Sequence, residues 1–130
     1  MVSLQYDQEN DLAIFSARGT LSLKEVVEAA IKWSQHGNYK PTSNVLWELA
    51  DCDWHPVVKE FLLMATEITR RVNQIWDGEK VAWLVHSRTE VALVETHLAT
   101  VGWRASWRAF TQRSEAMAWL RQKNNATVAS

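Results

Sequence analysis

The chain of 130 residues contains one cysteine, two prolines and four glycines, and each scarcity excludes a class of protein. A lone cysteine, Cys52, cannot form an internal disulfide or a thiolate-rich zinc site. Four scattered glycines provide no Gly-rich loop that could hold a nucleotide phosphate. The chain has no apolar run of about 18 residues, which argues against a membrane span. Residues 1–20 lack the basic-then-apolar order of a secretory signal, so we expect a cytoplasmic protein.

The net charge of the chain is also close to zero. The chain carries 14 basic and 15 acidic residues, a formal balance of −1, which gives no electrostatic reason to expect nucleic acid as a partner. Hydrophobic residues make up 47% of the chain and charged residues 22%, as in a compact domain. A chain of this length buries enough surface to fold without disulfides or a metal ion. We therefore expect neither a metal nor a cofactor.

The hydrophobic pattern predicts an N-terminal hairpin followed by alternating helices and strands. Residues 2–7 alternate between apolar and polar side chains, and residues 9–11 have turn chemistry, in which Asn10 tolerates a positive φ. Two Ser-x-x-Glu sequences, at residues 22–25 and 87–90, are typical of helix N-termini.

The predicted element order is ββαβαβαβα, which indicates an α/β fold. We expect a single domain over residues 1–123 with a central, mostly parallel sheet of about five strands. An antiparallel N-terminal hairpin should lie at the sheet edge, and about four helices should cover the sheet. Residues 124–130 should form a frayed tail.

Tryptophan, in contrast, is abundant, with eight residues. Trp33 lies at the flank of the apolar stripe of its predicted helix, and Trp54 and Trp76 lie at element ends. Indoles are rarely buried completely and are favoured in pockets and interfaces. These three side chains are therefore either partly exposed caps of the core or contacts of an apolar pocket or partner surface.

The second predicted helix, which follows Pro56, has more apolar residues than one core-facing stripe needs. Its additional residues include Leu62, Leu63 and Met64, which cannot all point into the same core. Either a neighbouring helix covers this patch or a second subunit does. Because two-fold dimers are the commonest oligomers, we expect a homodimer with Leu62 or Leu63 at its centre.

A cluster of polar groups precedes that helix. Cys52 and His55 could form a nucleophile and base pair, beside Asp51 and Asp53. The same residues could instead be a helix cap next to an inert thiol, since nearby carboxylates raise the pKa of a thiol. A metal site is a third interpretation, although consecutive loop residues rarely converge on one ion.

Three segments carry a resemblance to a known family. They are Gly19 to Leu23, Val45 to Leu49 with Asp51 after it, and Phe110 to Leu120. Together they resemble the SpoIIAA-like proteins, relatives of the STAS domain of anti-sigma factor antagonists. The resemblance implies a SpoIIAA-like fold and a non-enzymatic binding or regulatory module. Such a module would act through a protein partner or a small apolar ligand.

One departure from the STAS pattern changes what can be expected. STAS-type antagonists carry a phosphorylatable Ser or Thr in an Asp-Ser-Ser-Gly-like turn, whereas residues 51–56 here contain neither a hydroxyl group nor a glycine. We therefore expect no phosphorylation of this loop. The alternative function is a small cytosolic enzyme that uses Cys52 with His55.

Overall fold

The computed structural model describes residues 1–40, 42–57, 60, 70, 80–99 and 106–122. The strands are β1 (Val2–Asp7), β2 (Leu12–Ala17), β3 (Gly19–Thr20), β4 (Asn44–Glu48), β5 (Cys52–Asp53), β6 (Lys80–Leu84) and β7 (Ser106–Phe110). The helices with described bounds are α1 (Leu23–Ser34), α2 (Arg88–Ala99) and α3 (Arg113–Arg121). A further helical segment begins at His55, after β5.

Five strands form one sheet in the order β1-β2-β4-β6-β7. β1 is antiparallel to β2, and every other neighbouring pair in this sheet is parallel. β3 and β5 form a separate parallel ladder of two residue pairs, in which Gly19 lies opposite Cys52. The predicted fold class is confirmed, because the sheet is mostly parallel, the hairpin lies at its edge and four helical segments accompany it.

The hairpin turn differs from the prediction at one residue. The positive φ, 47°, belongs to Asp11 and not to Asn10. Asn10 instead donates from its side-chain amide to the carboxylate of Asp7 at 2.7 Å. The Asp11 carboxylate accepts hydrogen bonds from Tyr6 Oη at 2.7 Å and Ser43 Oγ at 2.8 Å. These bonds hold Asp11 in the left-handed region, which a short polar side chain tolerates.

Both predicted helix N-termini are confirmed. Ser22 Oγ accepts a hydrogen bond from the backbone N–H of Glu25 at 3.2 Å, and Glu25 Oε1 accepts one from the backbone N–H of Ser22 at 3.2 Å. At α2, the Ser87 hydroxyl accepts from the Glu90 N–H at 3.3 Å, and the Glu90 carboxylate accepts from the Ser87 N–H at 3.1 Å. These reciprocal bonds satisfy N–H groups that a helix leaves unpaired at its start.

The central strands are buried on both faces, because their side chains alternate between two apolar clusters, one on each side of the sheet. α1, α2 and the segment after β5 contribute to the apolar cluster on one face, and α3 contributes to the cluster on the other. The first face includes Ala13, Phe15, Val45, Trp47 and Val81. The second includes Leu12, Ile14, Leu46, Ala82 and Leu84.

Candidate binding site

Four aromatic rings form a row across the first face of the sheet. Phe15 lies opposite Trp47 in the β2–β4 register, and Trp47 lies opposite Trp83 in the β4–β6 register. The centroid distances are 4.4 Å from Phe15 to Trp47, 6.3 Å from Trp47 to Trp83 and 5.6 Å from Trp83 to Trp107. We call these four side chains the aromatic row. Its rings belong to β2, β4, β6 and β7 and form one continuous aromatic layer.

The aromatic row is not buried uniformly. Phe15 and Trp47 are completely enclosed, whereas Trp83 and Trp107 are only partly buried. The Nε1 atom of Trp83 is nevertheless inaccessible, and no acceptor among the described residues lies within hydrogen-bond distance of it. The β6–β7 end of the row therefore combines accessible apolar area with a buried N–H donor that has no acceptor in the described part of the chain.

A second aromatic group surrounds Trp33 of α1. The Trp33 ring stacks on Tyr6 of β1 at a centroid distance of 5.6 Å and meets Tyr39 edge-on at 5.5 Å. His36 lies 5.4 Å from the same indole. Trp33 is 0% exposed, and its Nε1 also has no hydrogen-bond acceptor among the residues that the structure describes.

The expectation of partly exposed indoles is wrong for Trp33 and for Trp54. Trp54 is 0% exposed and belongs to the same apolar cluster as Val57, while the exposed His55 ring stacks on it at 5.1 Å. Trp33 is buried because α1 brings it onto β1. The role of either indole in ligand or partner contact stays a prediction. Trp76, Leu62, Leu63 and Met64 lie outside the described residues, so their roles stay predictions as well.

Cys52 lies in β5 in surroundings that oppose ionisation. Partial burial raises its pKa to about 11, and the negative charges of Asp53, Glu90 and Asp51 add to the effect. His55 Nδ1 lies 2.9 Å from Asp53 Oδ1, and hydrogen bonds from His55 lower the pKa of that carboxyl. Within the described residues, no hydrogen bond joins His55 to the sulfur of Cys52. The imidazole is thus directed to a carboxylate and not to the thiol.

The described ranges contain neither a metal-binding cluster nor a membrane-spanning helix. No group of three or more His, Cys, Asp or Glu side chains there is arranged to hold a metal ion. No helix in the same ranges is long and apolar enough to cross a membrane.

Sequence reasoning missed two features. Alternation along each strand indicates that residues 15, 47, 83 and 107 could face the same side of the sheet. Alternation alone does not predict which residues of neighbouring strands lie opposite each other, so the aromatic row was not found from the sequence. The other feature is a groove of about 380 Å³ between β1 and α1, lined by residues that include Leu4, Glu28, Ala29 and Lys32. The signal in the sequence that could have indicated this groove was a predicted edge strand without a charged residue between positions 2 and 6.

This arrangement of strands and helices defines a SpoIIAA-like α/β domain. The solved structures include an uncharacterized protein of the DUF3478 family with a SpoIIAA-like fold, from Shewanella loihica PV-4. It is similar to this chain with a TM-score of 0.58 over 92% of each chain, at 14% sequence identity. No family model and no curated protein matches the chain. The resemblance inferred from the sequence is therefore confirmed as a likeness of fold.

Proposed function

We propose that this chain is a non-enzymatic binding module of the cytoplasm, acting through a protein partner or a small apolar ligand. The observation that carries the small-ligand proposal is the accessible end of the aromatic row with the unpaired N–H of Trp83. Ligand sites typically join apolar and aromatic walls to a few polar groups that fix orientation. The favoured ligand is a small, mostly apolar molecule that carries a hydrogen-bond acceptor.

The energetics of the Trp83 donor support this choice. A buried N–H without an acceptor costs about 1–3 kcal/mol. A ligand that displaces the groups now covering Trp83 Nε1 and places an oxygen against it would recover that cost. The partly buried rings of Trp83 and Trp107 offer apolar area to the rest of the ligand. The two contributions act together only on a molecule with an apolar body and a polar end.

The surroundings of Cys52 favour binding over catalysis. A nucleophilic thiol needs a lowered pKa, whereas the pKa of Cys52 is raised to about 11. The loop at residues 51–56 contains no hydroxyl group, so a phosphorylation switch of the STAS type has no acceptor there. The proposed module therefore works without a covalent step at this loop.

Decanoate, below its micellar concentration, provides a direct test because it has an apolar chain and a carboxylate acceptor. We expect binding by titration calorimetry and a shifted Trp83 indole N–H signal in nuclear magnetic resonance. Trp83→Phe keeps an aromatic ring but removes the donor, so affinity should fall about tenfold or more, as for a hydrogen bond to a charged group.

Trp119→Phe is the matched control, because Trp119 packs on the opposite face of the sheet. This variant should bind decanoate like the wild type. An equal loss in both variants, or no shift of the Trp83 signal on binding, would contradict the proposed site.

We also propose a homodimer formed through Leu62, Leu63 and Met64. Light scattering at micromolar concentration should then give about twice the 14.9 kDa mass of the chain. Leu63→Glu should return the protein to a monomer, whereas Ile31→Glu, on an exposed position of α1, should not. A mass near that of one chain at every concentration would refute the dimer.

A further inference from the structure

The outer side of β1 has backbone groups that pair with no other described strand. Among the described strands, only β2 pairs with β1. Met1 and Arg18 exchange two backbone hydrogen bonds, at 3.0 and 3.1 Å. In an antiparallel pair such bonded positions alternate with non-bonded ones. The N–H and C=O groups of Val2, Leu4 and Tyr6 therefore point away from β2, toward the open edge.

This edge also lacks the usual protection against pairing. Natural edge strands carry lysine, proline or a bulge that discourages another strand from adding. Residues 2–6 contain neither a charge nor a proline, and the β1–β2 register runs from Val2 to Asp7 without interruption. The opposite edge strand, β7, has the exposed Arg108 at its centre. β1 is thus the better edge for strand addition.

α1 forms a second wall beside this edge. The N-terminal ammonium of Met1 lies 2.9 Å from Glu25 Oε2 at one end, and Tyr6 stacks on Trp33 at the other. α1 and β1 therefore run in the same direction. Between them lies the groove of about 380 Å³, lined in part by Leu4.

We propose that an extended segment of a partner protein adds to β1 as a sixth strand of the sheet, with α1 as the second wall of its site. The backbone groups of Val2, Leu4 and Tyr6 would bond to the segment, and Glu28 and Lys32 of α1 would select its side chains. Edge strands recognise peptides in this general way, with backbone bonds giving affinity and side-chain contacts giving specificity. The proposal rests on the proposed binding function and names the class of protein partner.

Three charged residues line the groove, and two of them, Glu28 and Lys32, define the chemistry of the segment, because the third, Glu25, is paired with the N-terminal ammonium of Met1. Glu28 is 57% exposed, with Lys24 Nζ 3.9 Å away, and Lys32 has no ion-pair partner among the described residues. They are four residues apart, about 6 Å along the helix. Side chains two residues apart on a strand are separated by about 6.6 Å and point to the same face. An acidic and a basic residue with one residue between them would therefore match both charges.

The order of those two residues follows from the direction of the segment. Glu28 lies nearer the Met1 end of β1, and Lys32 lies nearer the Tyr6 end. An antiparallel segment meets Lys32 first, so its acidic residue should precede its basic residue. Antiparallel pairing is the more stable arrangement per residue.

A second copy of this chain fits the edge less well than a peptide. α1 approaches β1 more closely than it approaches the other strands of the sheet. Two β1 strands paired about a two-fold axis would be about 4.8 Å apart, and the α1 helices of both copies would then lie on the same face of the sheet, next to the shared edge. Packed helices require about 8–10 Å between their axes. A segment without its own helix avoids this crowding.

The test uses a blocked heptapeptide of alternating β-forming residues, with glutamate at its third position and lysine at its fifth. Comparison peptides carry two glutamates, two lysines or two glutamines at the same places. We expect the matched peptide to bind the wild-type protein most tightly, by about twofold to fivefold over the glutamine peptide, as exposed ion pairs allow. Equal binding of all four peptides, or no binding at millimolar concentration, would overturn the proposal.

Variants of the protein locate the site. Glu28→Lys should weaken binding of the matched peptide and make the two-glutamate peptide the preferred one. Glu115→Lys makes the same charge change at an exposed position of α3 and should leave the preference unchanged. A preference that changes equally in both variants would show a general charge effect and refute the site.

Amide hydrogen exchange tests the backbone pairing directly. On binding, the N–H groups of Leu4 and Tyr6 should become protected, whereas those of Ser3 and Gln5 already bond to β2 and should change little. Binding that leaves Leu4 and Tyr6 unprotected would rule out strand addition. Trp83→Phe should retain peptide binding, so failure of the small-ligand proposal and failure of this one can be distinguished.

Discussion

Iodoacetamide should alkylate Cys52 about a hundredfold more slowly in the folded protein than in the urea-unfolded chain at neutral pH. The reactive species is the thiolate, and folding raises the pKa of Cys52 from the ordinary 9.0 to about 11. That change lowers the thiolate fraction about a hundredfold at pH values below both pKa values. Because the chain has a single cysteine, the mass added per chain reports this one thiol.

Two variants identify the cause of the low reactivity. Asp53→Asn removes the largest of the charges that raise the pKa of Cys52, so alkylation should become faster. His55→Ala should not make alkylation slower, because the His55 ring is bonded to Asp53 and not to the thiol. Rapid alkylation of the wild type at pH 7, slowed by His55→Ala, would instead support the enzyme that uses Cys52 with His55.

Trp33→Ala should lower the free energy of unfolding by about 3–5 kcal/mol, which is typical when a buried tryptophan is truncated. Trp33 is 0% exposed and is the ring through which α1 packs on Tyr6 of β1. Its removal would leave a cavity between the helix and the sheet edge, and the edge-on contact with Tyr39 would be lost as well. Urea unfolding followed by circular dichroism measures the loss.

Two control variants separate packing from other effects. Trp33→Phe keeps a ring at the same place and removes an N–H that has no acceptor, so its cost should be clearly smaller. Ile31→Ala truncates a side chain of the same helix that is 43% exposed, and its effect should be small. If Trp33→Ala costs no more than Ile31→Ala, Trp33 does not anchor α1.

The candidate sites were less predictable than the secondary structure. The complete burial of Trp33 and Trp54 could not be predicted, because burial of an indole depends on which element covers it. The alternative hypothesis, an enzyme that uses Cys52 with His55, rested on proximity in sequence. In the structure, the hydrogen bond of His55 goes to Asp53, and a separation of three residues does not determine that choice.

The features that depend on local interactions could be predicted from the sequence. Ser22 and Ser87 with their glutamates start helices because the capping bonds span only three residues, and alternation along residues 2–7 defines a strand with one inward face. Which strands are neighbours, and in which register they pair, became known from the fold of the whole domain. That register places Trp47 beside Trp83, and the packing of α1 on β1 creates the groove that holds Glu28 and Lys32. Such contacts join residues far apart in the chain. The hydrophobic pattern within one segment does not predict which distant residues that segment will contact.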